Sequence, residues 1–237
     1  MPRNADLETR WIGPPPEAAP TIVFLHEGLG CVAAWRDFPD RVVAATGLGA
    51  LVYSRRGYGL SEPVQGPRSI RFMHEEAELL PELLARFGIR EPILYGHSDG
   101  ASIAIMAAAP VRARILEAPH VFVEPVCIES IRRVSQNERL RERLLRYQHT
   151  NTLDAWCDVW LRPEFAQWNI EEYLPRITTP VLVIQGTNDE YGTIKQVEAI
   201  ASQVPAPVTT LLLSDCGHSP HSEKPDEVLD AVAAFLR

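Results

Sequence analysis

Long apolar runs are missing from this sequence. The longest stretch free of charge and proline covers residues 42–54, well short of the ~20 residues a membrane-spanning helix needs. Basic residues are in the minority: 23 Lys and Arg stand against 31 Asp and Glu, a formal net charge of −8. Such a surface repels phosphate backbones, so no nucleic-acid partner is expected. Cysteine is sparse. Cys31, Cys127, Cys157 and Cys216 are scattered without C-x-x-C spacing, which argues against a zinc site or a disulfide framework and fits reduced thiols. Residues 1–10 are polar and lack an apolar h-region, so no secretory signal is expected. Internal repeats and low-complexity tracts are missing too. The expectation is a soluble, cytoplasmic, globular chain that does not engage membranes.

What is present suits one ordinary domain with room for an inserted subdomain: 237 residues, 46% hydrophobic and 23% charged. After the proline-rich residues 13–20, short apolar runs alternate with segments of helical spacing. The runs at residues 21–25, 50–53, 92–95, 115–116, 180–185 and 208–213 read as strands. Helical patterns fall at residues 35–46, 70–87, 101–109, 193–204 and 225–237. Continuous apolar strands between helices, without period-two alternation, predict an α/β fold with a mostly parallel sheet covered on both faces. Residues 124–175 break this rhythm with helical signals and no strand. They are read as a helical cap inserted into a core made of residues 1–123 and 176–237. The cap carries Arg132, Arg133, Arg139, Arg141, Arg143 and Arg146, interleaved with Glu129, Glu138 and Glu142, which reads as a solvated helix face.

One motif carries chemistry. Gly96-His97-Ser98-Asp99-Gly100 is a G-x-S-x-G sequence placed between an apolar strand and an apolar helix. A turn this tight strains its central residue, needs small neighbours, and aims helix-start N–H groups at the exposed hydroxyl. A purely structural glycine turn is the blander reading of the letters alone; the strand and helix around them favour a nucleophile. Serine needs a base, and the base an orienting acid. Asp189 and Glu190 follow a later strand and supply adjacent carboxylates. His218 and His221 follow the last strand. His26 and His97 are expected to be structural hydrogen-bonders, and His74 and His149 to lie on helix surfaces.

With these motifs on the chain in this order, the sequence resembles the α/β-hydrolase superfamily, in the branch of small capped esterases, lactonases and carbon–carbon bond hydrolases. The resemblance runs from about Thr21 to the C-terminus. It implies Ser98 as nucleophile, Asp189 as acid, His218 as base, and His221 and Glu223 in a supporting role. The H-G-x motif of the family matches His26-Glu27-Gly28, which implies Gly28 and Asp99 as the backbone N–H donors of an oxyanion hole. The D-x-R-G-x-G-x-S loop matches residues 54–61, with Ser54 in place of the first aspartate. Family members begin with two or three antiparallel strands, whereas only residues 7–12 look strand-like here, so the N-terminal edge of the sheet is expected to be trimmed.

The leading functional expectation is a serine hydrolase cleaving a small carboxylic ester through an acyl-enzyme on Ser98, with no metal or organic cofactor. Hydrolysis of a lactone or of a β-diketone carbon–carbon bond by the same triad is the alternative among enzymes. A small-ligand receptor on the same fold is the alternative outside them. Trp35, Phe122, Trp156, Trp160 and Trp168 are candidates for a compact substrate pocket, although aromatics at helical spacing are more often core. Glu27 stands where the family has glycine, next to Gly28. An ionised carboxylate there would oppose oxyanion stabilisation, so Glu27 is expected to pair with Arg55 or Arg56.

Overall fold

The computed structural model describes residues 7–64, 66–149 and 151–237. Seven strands form one sheet: β1 (Thr9–Ile12), β2 (Thr21–Leu25), β3 (Gly49–Tyr53), β4 (Ile93–His97), β5 (Ala113–Glu117), β6 (Val181–Gly186) and β7 (Val208–Leu213). Their spatial order is β1-β3-β2-β4-β5-β6-β7. Every pairing is parallel except that of β1, which runs antiparallel to β3 with Thr9 opposite Tyr53. One short antiparallel strand is thus all that precedes the parallel sheet among the described residues.

Each residue of β2, β3, β4, β5 and β6 is buried, which is why these strands read as unbroken apolar runs. Alternate side chains feed two separate cores. Ile22, Phe24, Val52, Tyr95 and Ile184 meet helices α1 (Phe38–Thr46) and α9 (Pro225–Phe235) on one face. Val23, Leu25, Leu51, Leu94 and Val183 meet α2 (Phe72–Arg86), α3 (Asp99–Met106) and α7 (Ile194–Gln203) on the other. Phe24 stacks on Tyr95 at 5.0 Å between ring centres; truncating so buried a phenylalanine to alanine costs about 3–5 kcal/mol.

The helical spacing over residues 35–46 is realised in two pieces. A 3-10 turn at Val32–Trp35 ends at Arg36, whose φ is 53°, and α1 starts afresh. Pro39 is the reason: its ring would clash with a helical carbonyl four residues back, so it is tolerated only within a first turn.

Between β5 and β6 the regular structure is helical. It comprises α4 (Pro125–Ser135), α5 (Glu138–Leu144), α6 (Thr152–Trp160) and 3-10 turns at Pro163–Gln167 and Glu171–Arg176. Of the six arginines noted in the sequence, three pair on the surface, Arg132 and Arg133 with Glu129, and Arg141 with Glu138 and Asp154. A short helix α8 (Pro220–Glu223) precedes α9. No helix among the described residues is long and apolar enough to cross a membrane.

Candidate active site

The carboxyl ends of β4, β5 and β6 converge on one cavity of about 260 Å³. Ser98 forms the turn from β4 into α3 and adopts φ 52°, ψ −117°. Strain of this kind persists only where the surroundings over-determine it. Here the Ser98 N–H donates to the Glu117 carbonyl at 2.9 Å, and its own carbonyl accepts from Ala101 and Ser102. A Cβ on Gly96 would overlap the Gly100 carbonyl, and one on Gly100 the Leu25 carbonyl. Only glycine fits at both ends of the turn.

The Ser98 hydroxyl lies 2.9 Å from His218 Nε2. On the far side of that ring, Nδ1 donates to Asp189 at 2.8 and 2.9 Å. Asp189 is further held by the Tyr191 N–H at 2.8 Å and the Gln185 amide at 2.6 Å. Burial alone would raise its pKa, but the His218 imidazole and these hydrogen bonds hold it down to about 2. His218 moves the other way. Burial disfavours its charged form, yet the Asp189 carboxylate more than offsets this and its pKa lies above 6.5. The serine, imidazole and carboxylate therefore make one hydrogen-bonded chain, with the imidazole basic and held in a single tautomer.

Glu190, the neighbouring carboxylate, is exposed, and its main-chain carbonyl accepts from Ser130 at 2.6 Å. Glu124 is tied to Thr193 and Gln196 and caps α7. His221 meets Glu117, and Glu223 accepts from the Gly217 and Ser219 N–H groups in the loop that carries His218. Among the described residues, the Gly28 and Asp99 N–H groups have no protein acceptor, and both residues border Ser98 or the cavity.

The pocket aromatics divide. Trp156 and Trp160 line the cavity, and the Trp156 indole donates to Asp99 Oδ2 at 2.9 Å. Trp35, Phe122 and Trp168 do not line it. Trp35 packs below, against Phe24, Tyr95 and His221. Trp168 stacks on Phe165 at 5.7 Å, and Phe122 forms a backbone bridge with Asn169.

Glu27 does not pair with either arginine. The Arg55 guanidinium runs beneath the loop and donates to the Glu27 main-chain carbonyl at 2.9 Å, while the Arg55 main-chain N–H donates to His26 Nε2 at 3.0 Å. Arg56 pairs instead with Glu62 at 3.2 Å. The half-buried Glu27 carboxyl faces the cavity, and burial pushes its pKa up. Burial, and not an ion pair, is thus what disfavours a charge on this carboxyl.

Sequence reading passed over His120 and Tyr191. The Tyr191 ring lies 4.5 Å from the His218 ring, and His120 lies 5.7 Å from it on the cavity wall. His120 lies three residues past the end of β5, in the loop where ligand-binding residues of parallel sheets gather, and that position was the available signal. Burial lowers its pKa to about 4, so it lines the site as a neutral ring.

A tighter knot lies beneath. His97, Glu117 and His221 bring their ligand atoms within 4.8 Å of one another, a spacing that could suit a metal ion. Those atoms are spent on protein partners: Glu117 accepts from the Tyr95 hydroxyl and His221, and His97 Nε2 donates to the His218 carbonyl. The donor set fits a hydrogen-bonded support better than a metal centre.

A sequence model described as the alpha/beta hydrolase family matches residues 22–231. The chain belongs to that family. It is 28% identical over 153 residues to human serine hydrolase BPHL, a match covering 59% of this chain and 53% of that protein. The chain spans no more than about half of the curated relatives it matches. Among solved structures it resembles the enol-lactonase from Burkholderia xenovorans LB400, with TM-score 0.75, 21% identity, and coverage of 98% and 97% of the two chains. A hydrolase from Pseudomonas aeruginosa PA01 superposes with TM-score 0.76 at 20% identity, covering 97% and 94%. At these identities the structural likeness speaks for the fold. In this chain the serine turn, the carboxylate and the imidazole lie in the order Ser98, Asp189, His218.

Proposed function

We propose that this chain is a serine hydrolase of small carboxylic esters. The observation that carries the reading is the unbroken chain of hydrogen bonds from the Ser98 hydroxyl through His218 to Asp189. In the first half-reaction Ser98 Oγ attacks the ester carbonyl as its proton passes to His218 Nε2. The Gly28 and Asp99 N–H groups receive the negative charge that develops on the carbonyl oxygen. His218 then gives the proton to the leaving alcohol, and an acyl-Ser98 ester remains. Water repeats the sequence in reverse and frees the acid. Asp189 holds the imidazole tautomer and stabilises its charged form throughout. No step requires a cofactor.

The cavity supports a small substrate. Its volume of about 260 Å³, walled by Trp156, Trp160, Ile131 and Leu144, suits a short acyl or aryl group better than a long lipid tail. On this reading residues 124–175 act as a cap, since they contribute those walls. The relationship to a protein named a serine hydrolase supports the same chemistry.

The test is a stopped-flow assay with a short-chain 4-nitrophenyl ester. A stoichiometric burst of nitrophenol followed by turnover is the expected result. Binding without release would point to a receptor instead. A panel containing lactones and β-diketones then decides between ester cleavage and the two related hydrolyses.

A further inference from the structure

A second hollow of about 360 Å³ opens beside the catalytic cavity, and the two share Glu27, Arg143, Tyr147 and Ser219 in their walls. Its chemistry differs from that of the aromatic pocket. Two guanidiniums border it, Arg36 and Arg143, together with the hydroxyl-bearing Tyr147, Ser219 and Ser222. Arg36 and Arg143 approach from different elements, the end of the 3-10 turn at Val32–Trp35 and helix α5. Arg36, Arg143 and Tyr147 line the same hollow.

These groups have not been used by the fold. Among the described residues neither guanidinium forms an ion pair or side-chain hydrogen bond, and the three hydroxyls likewise have no protein partner. The contrast with the same helix is direct: Arg141, two residues before Arg143, is held by both oxygens of Asp154 at 2.8 and 2.9 Å. Arg36 also occupies φ 53°, a conformation that a non-glycine residue rarely adopts and that tends to accompany function.

Two guanidiniums and three hydroxyls are all hydrogen-bond donors to an anion. A planar carboxylate matches the guanidinium fork and takes two N–H bonds from it. The hollow also has one carboxyl in its wall, that of Glu27, which opposes a dianion more strongly than a monoanion. We propose that Arg36 and Arg143 form a carboxylate subsite, and that the preferred substrate is a half-ester of a dicarboxylic acid whose free carboxylate occupies this hollow while its ester carbonyl lies at Ser98. The inference rests on the hydrolase reading above for the second part only; the subsite itself is a matter of binding.

The experiment separates the two. Calorimetry on the Ser98→Ala protein compares monomethyl adipate, which keeps one carboxylate, with dimethyl adipate, which has none. The monoester is expected to bind about ten-fold tighter or more, as charge-assisted bonds from arginine allow. In Ser98→Ala/Arg36→Gln/Arg143→Gln that ratio should fall towards one. Equal binding of the two probes, or a preference that survives loss of both arginines, overturns the subsite. In the protein with Ser98 intact, 4-nitrophenyl hydrogen adipate and its methyl ester are compared for kcat/KM. The same preference should appear and should shrink in Arg36→Gln/Arg143→Gln. Anion-selective binding without turnover of either ester would retain the subsite and overturn the hydrolase reading; turnover of both at equal rates would do the reverse.

Discussion

His221 donates twice to a single oxygen of Glu117, through its main-chain N–H at 2.7 Å and its ring Nδ1 at 2.8 Å. The other Glu117 oxygen accepts from the Tyr95 hydroxyl at 2.7 Å. This buried carboxylate at the end of β5 thereby anchors the segment that follows His218. The neighbouring His97 holds the His218 carbonyl at 2.7 Å. Burial lowers the His97 pKa to about 3, which keeps the ring neutral. The support beneath His218 is built from buried side chains that bond one another and the main chain.

That pair sets a pH dependence of stability. Burial opposes the charge on Glu117, but His221 more than compensates and its pKa falls from 4.5 to about 2. This contribution is present above pH 4.5 and is lost as pH falls towards 2. The same partner raises His221 above 6.5 despite its burial, so its contribution is complete below 6.5 and is lost as pH rises through the raised value. Glu117→Gln, which leaves a buried imidazole without its counter-charge, should cost about 3–5 kcal/mol. In urea titrations the gap to the wild-type protein should be widest between pH 4.5 and 6.5 and narrow on either side. A gap of constant size from pH 3 to 9 would refute the ion-pair account.

Ser98→Ala should leave the fold intact, because a smaller side chain adds no clash at the strained turn. Ester turnover should fall by about 10³-fold or more, leaving what the oxyanion donors and binding supply. Near-normal kcat in the pure variant, with no contaminating esterase, would exclude Ser98 as nucleophile.

Asp189→Asn and Glu190→Gln should behave unequally although the residues are adjacent. The asparagine presents an N–H or a weaker acceptor to His218 Nδ1 and should lower kcat by about 10³–10⁴-fold. Glu190 is exposed and does not bond the imidazole, so its variant should stay close to wild type. Reversed effects in steady-state assays would move the acid to Glu190.

The acid limb of kcat/KM should report His218. Protonation removes the base, so the rate falls as pH drops through its pKa, which lies above 6.5 because Asp189 favours the charged ring more than burial disfavours it. In Asp189→Asn the residual activity should show this limb displaced to lower pH. A rate that stays flat down to pH 4.5 would be incompatible with a histidine base.

The sheet and the candidate site residues were legible in the sequence because each is specified over a short span. Unbroken apolar runs such as residues 21–25 can only be strands buried on both faces, and Gly96 and Gly100 flank the one serine that stands between such a strand and an apolar helix. Asp189 and His218 follow later strands, so topology carries them to the same end of the sheet. Contacts between distant segments were not legible, since they depend on which way a side chain turns within a loop. Arg55 meets the peptide of Glu27 instead of its carboxylate, Glu117 pairs with a histidine 104 positions away, and Trp156 crosses from α6 to reach Asp99. His120 looked like one more loop residue until packing set it against His218. The sequence alone determined the fold and the order of Ser98, Asp189 and His218 along it; tertiary packing decided which polar atoms were paired and which, as at Arg36 and Arg143, were left facing the hollow.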